Sequence, residues 1–342
     1  ASSAAAIAVK KWMQNTKQKG TIRFYGCPAE EGGGAKVYMA REGLFDDVDI
    51  ALHWHPGSQN AASAAAALAN ISAKFRFYGV SAHAAGAPEK GRSSLDGVEA
   101  MNAMVNMMRE HVPQEARIHY VITDGGKAPN VVPDFAEVYY YSRHYSREVV
   151  RSIFNRIVKA GEGAALGTGT TMKYEIVNGV HELLPNLTLQ KLVHDNLTSI
   201  GGITYSPEEK EFADKIALSL GQKEADIDRA LSIQPYKEEA RAYGSTDVGD
   251  VSFVVPTVGF GTATWVPGTS AHSWQAVAAG GTTIGEKGMM VAAKTITATA
   301  IDLFQNKELI EKATLEFNNR RGKSFIYKPL LGNRPPALDY RK

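Results

Sequence analysis

The sequence has 342 residues, which is long for a single compact core, so we expect two domains. Its hydrophobic fraction of 44%, charged fraction of 22% and formal net charge of +2 are typical of a soluble globular protein. They do not favour a nucleic-acid or membrane-surface partner. The single cysteine, Cys27, excludes an internal disulfide framework, and no apolar run reaches the roughly 20 residues of a membrane span. We therefore predict a cytoplasmic protein.

The first 66 residues alternate between helical and extended patterns, as in an α/β protein with a parallel sheet. The patterns predict helices at 5–18 and 35–42, and strands at 21–26 and 49–55. Because ligands collect at the carboxyl ends of parallel strands, polar residues that follow these strands are candidate site residues. We assign residues 1–66 to the first part of a catalytic domain.

The next segment, 67–186, has a different order of elements. It predicts strands at 72–79, 116–122, 135–141 and 171–177, and helices at 93–110 and 146–165. This βαββαβ order is that of a ferredoxin-like domain, which we expect as an insertion that forms a lid. Residues 187–342 then complete the catalytic domain, with helices at 187–200, 206–219 and 283–305, a strand at 254–260 and an irregular surface tail after 321.

Several acidic residues and histidines are candidates for chemistry. Glu30 and Glu31 precede three glycines, so that one carboxylate can bind a metal while the other works as a base; a solvated acidic turn is an equal alternative. His53 and His55 alternate on a strand and share a face. His83 and His272 lie in loops of small residues, which favours function over core packing. Each histidine alone is more often structural.

The conjunction of these motifs resembles the family of metallopeptidases and aminoacylases that includes acetylornithine deacetylase and hippurate hydrolase. Within it, the chain is most similar to the branch that hydrolyses p-aminobenzoyl-glutamate. The resembling stretches cover nearly the whole chain and lie at 20–28, 41–49, 54–56, 245–252 and 286–289. The resemblance implies metal-dependent hydrolysis of the amide bond of an N-acyl amino acid, such as p-aminobenzoyl-glutamate. The alternatives are a dipeptidase or aminoacylase of other specificity, or a catalytically incomplete binding or assembly subunit.

The resemblance also implies roles for individual residues. Glu30 matches the general base, and Glu31 and His272 match metal ligands. His55 is our choice for the strand ligand, with His53 as the alternative, since relatives differ at this point. The metal would be Zn²⁺ or Mn²⁺, with two ions in the complete enzyme. Further expected roles concern the lid: His83 would stabilise the oxyanion in a partner subunit's site, and Asn130 and Arg143 would hold the substrate and its carboxylate.

The beginning of the chain departs from the family's pattern. The family supplies further metal ligands upstream, in this branch within a Gly-His-Gly-Cys-Gly-His segment, and residues 1–29 contain no equivalent. We therefore expect a part of a longer enzyme, without the first α/β units and half of the metal ligands. The resemblance further implies a dimer through the lid domain, either a homodimer or a heterodimer with a homologous subunit, and a small-molecule substrate.

Overall fold

A computed structural model describes residues 1–63, 65–238 and 240–338. The strands in chain order are β1 (Ala51–Gly57), β2 (Ala65–Ala66), β3 (Ala69–Tyr78), β4 (Arg117–Asp124), β5 (Phe135–His144), β6 (Thr171–Val180), β7 (Ala240–Arg241) and β8 (Thr257–Ala263). The helices are α1 (Ser2–Thr16), α2 (Ala35–Arg41), α3 (Ser94–Met108), α4 (Arg147–Thr168), α5 (Leu187–Ile200), α6 (Pro207–Ser219), α7 (Ile227–Leu231), α8 (Val248–Ser252), α9 (Trp274–Gly280), α10 (Thr283–Gln305) and α11 (Lys307–Arg321). Within these ranges, no helix combines the length and the apolar character that a bilayer span requires.

Strand β1 pairs with β8 in parallel over its whole length, from Ala51 opposite Thr257 to Gly57 opposite Ala263. Successive side chains on β1 point to opposite faces. Leu52 and Trp54 pack into the core that α5, α6 and α10 build, whereas Ala51 packs on the opposite side with residues of α2 and α8. This parallel pair with helices on both faces confirms the predicted α/β class.

The predicted strand at 21–26 does not form. These residues belong to no helix and pair with no strand in the described structure. They line a groove of about 380 Å³ whose other wall includes Leu52 and Trp54 of β1. A strand needs a hydrogen-bonded neighbour, and the groove lies between this segment and β1. The strand predicted at 254–260 likewise starts later, at Thr257, because Val254 and Val255 still donate backbone hydrogen bonds to Val251.

The lid has the predicted ferredoxin-like order. Strands β3, β4, β5 and β6 form one antiparallel sheet in the spatial order β4-β5-β3-β6, and α3 and α4 cover one face. Phe75 and Phe77 of β3 point into the core beneath these helices. The alternate residues of β3, from Asn70 to Arg76, point to the opposite side, which we call the helix-free face. The sheet runs from Ala69 to Val180, inside the insertion predicted at 67–186.

The tail after residue 321 is irregular, as predicted, but it is not purely a surface segment. Leu330 and Leu331 are 6% and 3% exposed, and Leu330 packs into the lid core. Arg334 donates hydrogen bonds to the carbonyl oxygens of Ile176 and Val177 on β6. The tail therefore fastens the lid to the catalytic domain. Its prolines and basic residues gave no sign of this, because the apolar partners come from distant parts of the chain.

Candidate functional site

Glu30 and Glu31 lie on a tight turn that is held by its own backbone. The amides of Gly33 and Gly34 both donate to the carbonyl oxygen of Ala29, at 2.9 and 2.8 Å. Ala29 has φ 58°, in the left-handed region that costs a residue with a Cβ about 1–2 kcal/mol. Such strain persists only where the surrounding structure enforces it, and it is concentrated at functional sites. The turn thus presents the two carboxylates in a defined and costly conformation.

The far end of this turn is anchored from two sides. Asp247, which is 1% exposed, accepts hydrogen bonds from the Lys36 backbone amide at 3.1 Å and from Lys36 Nζ at 2.8 Å. A carboxylate is favoured at this place because Lys36 lies in the first turn of α2. On the other side, a Cβ on Gly34 would lie 2.5 Å from Asn178 Oδ1 of lid strand β6. The lid therefore touches the turn that carries the carboxylates.

His272 approaches the same turn from a loop before α9. Its Nε2 lies 3.8 Å from Oε1 of Glu31, and both side chains are exposed, at 74% and 57%. His272 also has a left-handed backbone, with φ 58°. Two metal bonds of about 2.1 Å at a tetrahedral angle place their donor atoms roughly 3.4 Å apart, so this separation suits two ligands of one ion. The structure thus brings together Glu30, Glu31 and His272.

The two strand histidines have different surroundings. His55 is exposed, and its Nδ1 lies 2.6 Å from the carbonyl oxygen of Pro56, so Nδ1 carries the proton and Nε2 keeps its lone pair for a metal. His53 Nε2 is buried without a hydrogen bond inside the described chain, against Gly259 of β8, where a Cβ would lie 2.1 Å away. Burial lowers the pKa of His53 to about 4, so its imidazole is neutral.

Near the turn, Glu31 and His272 are two donor groups that approach each other. In residues 1–63, 65–238 and 240–338, no three His, Cys, Asp or Glu side chains come together as a metal-binding group. His55 is therefore not joined to Glu31 and His272 in this conformation. The chemistry of the pair, a carboxylate oxygen and an imidazole nitrogen, suits Zn²⁺ or Mn²⁺.

His83 and Asn130 lie together in the lid, beyond the end of β3. The Ala84 amide donates to the Asn130 carbonyl oxygen at 3.0 Å, and His83 forms a bridge with Val131. His83 Nδ1 accepts hydrogen bonds from the amides of Ala85 and Gly86, at 3.2 and 2.9 Å. Because Nδ1 accepts, a neutral His83 carries its proton on Nε2 and presents it as a donor.

Arg143 lies at the opposite end of the lid sheet from His83. Strand β5 begins at Phe135, beside the His83 loop, and Arg143 is eight residues further along, which corresponds to roughly 27 Å. Arg143 pairs across the sheet with Asn70, close to the point where the lid joins the catalytic domain. Burial lowers the pKa of the Arg143 guanidinium. The structure therefore separates Arg143 from His83 and Asn130 within one chain.

Some residues that shape the site carried no role in the sequence prediction. Asp247 belongs to a stretch that carries the family resemblance, at 245–252, but its buried ion pair with Lys36 became visible only in the fold. Asn70 and Asn178 lie just outside the strands predicted at 72–79 and 171–177, although the structure places them in β3 and β6. Their proximity to Arg143 and to the Glu30 turn depends on the register of the lid sheet. By sequence, Asn70 shows only as a polar residue in the mostly apolar run at 65–71.

Comparison with known proteins identifies the family. Residues 67–166 match the M20 peptidase dimerisation domain. The chain is 39% identical to one of the subunits of p-aminobenzoyl-glutamate hydrolase from Escherichia coli, over 98% of this chain and 75% of that protein. It is 28% identical to the Xaa-Arg dipeptidase of Mus musculus, over 92% of this chain and 67% of the relative.

The fold also resembles a solved structure, that of an aminobenzoyl-glutamate utilization protein from Klebsiella pneumoniae. The TM-score is 0.59 at 18% identity, over 88% of this chain and 67% of that one. This likeness supports the fold, with an inserted ferredoxin-like domain in an α/β domain, and the sequence relationship supports the chemistry. The predicted resemblance is confirmed: the chain belongs to the M20 family of metal-dependent peptidases and amidohydrolases, together with the p-aminobenzoyl-glutamate hydrolase of Escherichia coli.

Proposed function

We propose that this protein cleaves the amide bond of an N-acyl amino acid, with p-aminobenzoyl-glutamate or a close analogue as the substrate. The observation that carries the proposal is the approach of His272 to Glu31, next to Glu30 on a strained turn. This arrangement offers a metal-binding pair beside an acid-base group. The substrate class rests on the 39% identity to the Escherichia coli hydrolase.

Glu31 and His272 would hold a divalent ion, Zn²⁺ or Mn²⁺, with His55 as a further ligand and His53 as the alternative. Of the two, His55 is favoured because its Nε2 lone pair remains available, whereas His53 Nε2 is enclosed against β8. A second ion would complete the site. The metal, when bound, polarises the scissile carbonyl and lowers the pKa of a water ligand towards ~7.

Glu30 would act as the acid-base group. Its carboxylate takes a proton from the attacking water and delivers that proton to the nitrogen of the leaving amine. For this role the carboxylate has to stay beside the metal ligand without binding the ion itself. The turn supports this role, because Glu30 and Glu31 are adjacent on a backbone that the hydrogen bonds of Gly33 and Gly34 to Ala29 constrain.

His83 and Asn130 would serve the active site of a partner subunit. Strand β3 runs away from the catalytic domain for ten residues, roughly 34 Å, before it reaches the loop of His83. The Nε2–H of His83 therefore lies far from the Glu30 turn of the same chain. In a dimer, that N–H would stabilise the oxyanion of the partner's substrate, while Asn130 helps to hold that substrate. The partner is a second copy or a homologous subunit.

The outer strand of the lid sheet offers a surface for this dimer. Strand β4 pairs with β5 on one side, and its exposed residues include Val121 and Ile122, at 56% and 40%. Unpaired edge strands with apolar side chains readily pair with another chain.

Arg143, at the end of the lid sheet opposite to His83, would bind the carboxylate of the amino-acid part of the substrate through its planar guanidinium.

The first experiment tests the chemistry. In the full-length protein loaded with Zn²⁺ or Mn²⁺, Glu30→Gln should lower kcat for p-aminobenzoyl-glutamate by about 10²–10⁴-fold. Bound metal, measured by elemental analysis, should be unchanged because Glu30 is not a ligand. Glu42→Gln is the matched control, since Glu42 is exposed directly after α2 and should not affect turnover. Normal turnover by the Glu30 variant would contradict the proposal.

The second experiment tests whether His83 acts across the dimer. Glu30→Gln and His83→Ala proteins should each be inactive, but an equal mixture that exchanges subunits should regain about a quarter of the activity. Half of its dimers are then mixed, and each mixed dimer contains one site with both residues intact. If His83 served its own chain, no site would have both residues, and mixing would restore nothing.

A second candidate function is a dipeptidase, because the chain is 28% identical to an Xaa-Arg dipeptidase over 92% of its length. A panel of p-aminobenzoyl-glutamate, N-benzoyl-glycine and dipeptides ending in arginine separates the two by kcat/KM. A preference for the arginine dipeptides would replace the proposed substrate. If the metal-loaded protein turned over none of these compounds, a binding or assembly role would be the better description.

A further inference from the structure

Asn70 is buried in the lid without a hydrogen bond for its side-chain oxygen. It is 6% exposed, and its Oδ1 makes no hydrogen bond to any described residue. Arg143, its cross-strand partner, is also unsatisfied, because its Nε is buried and has no acceptor in the described chain. Buried polar atoms in folded proteins are normally satisfied, so an acceptor and a donor left open side by side point to a ligand.

The pair lies close to the turn that carries the carboxylates. Asn70 and Ser72 both point to the helix-free face, and Ser72 pairs with Asn178, whose side chain touches Gly34. Neighbouring strands are about 5 Å apart and diagonal neighbours roughly 7–8 Å. Asn70 therefore lies about 8 Å from the contact with the turn, and Arg143 about 5 Å further. A single acyl amino acid can span this distance.

The two side chains complement one end of such a substrate. In an N-acyl amino acid, the amide N–H and the α-carboxylate are attached to the same carbon, so that a donor lies next to an anion. Asn70 and Arg143 present an acceptor next to a cation in the matching order, with Asn70 nearer to the turn. Arg143 has no carboxylate partner among the described residues and lies over the ring of Tyr141, at 5.2 Å, which keeps its position defined.

We propose that Asn70 is a substrate-binding residue whose Oδ1 accepts the N–H of the scissile amide while Arg143 pairs with the α-carboxylate. The inference rests on the proposed amidohydrolase function and adds a determinant of specificity. Asn70 selects amides over esters, because an ester has no N–H to donate. After cleavage, the same oxygen accepts a hydrogen bond from the amine that has been released. The ligand class is therefore an N-acylated α-amino acid.

The experiment compares N-benzoyl-glutamate with its ester analogue, in which oxygen replaces the amide nitrogen. Binding of each compound to the metal-free full-length protein is measured by calorimetry, and kcat/KM is measured on the metal-loaded protein. Wild type should bind the amide about tenfold more tightly than the ester. In Asn70→Leu, which has a similar volume but no polar atom, this preference should disappear while ester binding stays within about twofold.

The control is Ser72→Ala, two residues away on the same face. The Ser72 hydroxyl accepts a hydrogen bond from the backbone N–H of Asn178, so its loss should lower Tm. The preference for the amide substrate over the ester should stay unchanged. By contrast, Asn70→Leu should keep or raise Tm, because it removes an unsatisfied buried oxygen. Equal binding of amide and ester by wild type, or equal weakening of both in Asn70→Leu, would overturn the assignment. If wild type hydrolyses neither compound but still prefers the amide, the proposed activity fails and the subsite stands.

Discussion

Asp250 makes the stability of this fold depend on pH in an unusual direction. It is fully buried, and its carboxylate accepts hydrogen bonds from Tyr327 Oη at 2.7 Å and from the His181 amide at 2.9 Å. Despite these bonds, burial raises the pKa of Asp250 to about 7, and the nearby carboxylates of Asp247 and Glu182 contribute to this rise. In the folded protein the protonated form of Asp250 is therefore favoured up to neutral pH.

The consequence for stability follows from linkage. Between the unfolded pKa of 3.8 and the folded pKa of about 7, the folded state holds a proton that the unfolded chain has released. The stabilisation that protonated Asp250 contributes is therefore fully present below pH ~4. It falls by about 1.4 kcal/mol per pH unit up to pH ~7. Above that pH the loss levels off, at no more than about 4 kcal/mol.

Asp250→Asn removes the titrating group and should abolish this loss. Its amide can donate to Tyr327 Oη and accept from the His181 amide, while the tyrosine hydroxyl turns to the Val37 carbonyl oxygen, which lies at 3.4 Å. The free energy of unfolding in urea is measured for both proteins from pH ~4 to pH ~8. The stability of the variant relative to wild type should rise with pH by up to about 4 kcal/mol. A difference that does not change with pH would refute the reasoning.

Three further outcomes are expected. Asp247→Ala should lower the free energy of unfolding in urea by about 3 kcal/mol, because it leaves the partly buried Lys36 unpaired. Lys191→Ala, which removes an exposed ion pair, should lower it by less than about 0.5 kcal/mol. Equal losses in the two variants would contradict this reasoning. Gly249→Ala should destabilise by more than about 3 kcal/mol in the same assay, since its Cβ would lie 2.1 Å from a backbone oxygen, whereas Gly167→Ala meets no neighbour and should stabilise its helix by about 0.5–1 kcal/mol. His272→Ala should weaken metal binding by about 100-fold or more in equilibrium dialysis, and unchanged affinity would exclude it as a ligand.

Local patterns in the sequence were sufficient for the lid and for several helices. The βαββαβ order was predicted because alternation in strands and helical spacing are properties of neighbouring residues. Helices α5 and α6 were placed to within a residue, since Asn186 and Ser206 cap them through their own side chains. Glu30 and Glu31 were predicted as site residues from their glycine-rich context, and their roles in catalysis and metal binding stay predictions.

Other features depended on contacts between distant residues. Whether 21–26 forms a strand depends on a hydrogen-bonded neighbour, and the groove beside β1 separates the two. The buried leucines of the tail, and the placement of His83 and Arg143 at opposite ends of the lid, likewise follow from the way the sheet and the tail pack.

The amino-acid sequence by itself therefore determined the order of the lid elements, several of the longer helices and the family. The tertiary structure alone decided which polar groups are buried and what they face. Asn70 and Asp250 show the reason: a side chain's hydrogen-bond partners and pKa depend on the dielectric and the neighbours that distant segments supply. Nothing in the adjacent residues encodes these surroundings.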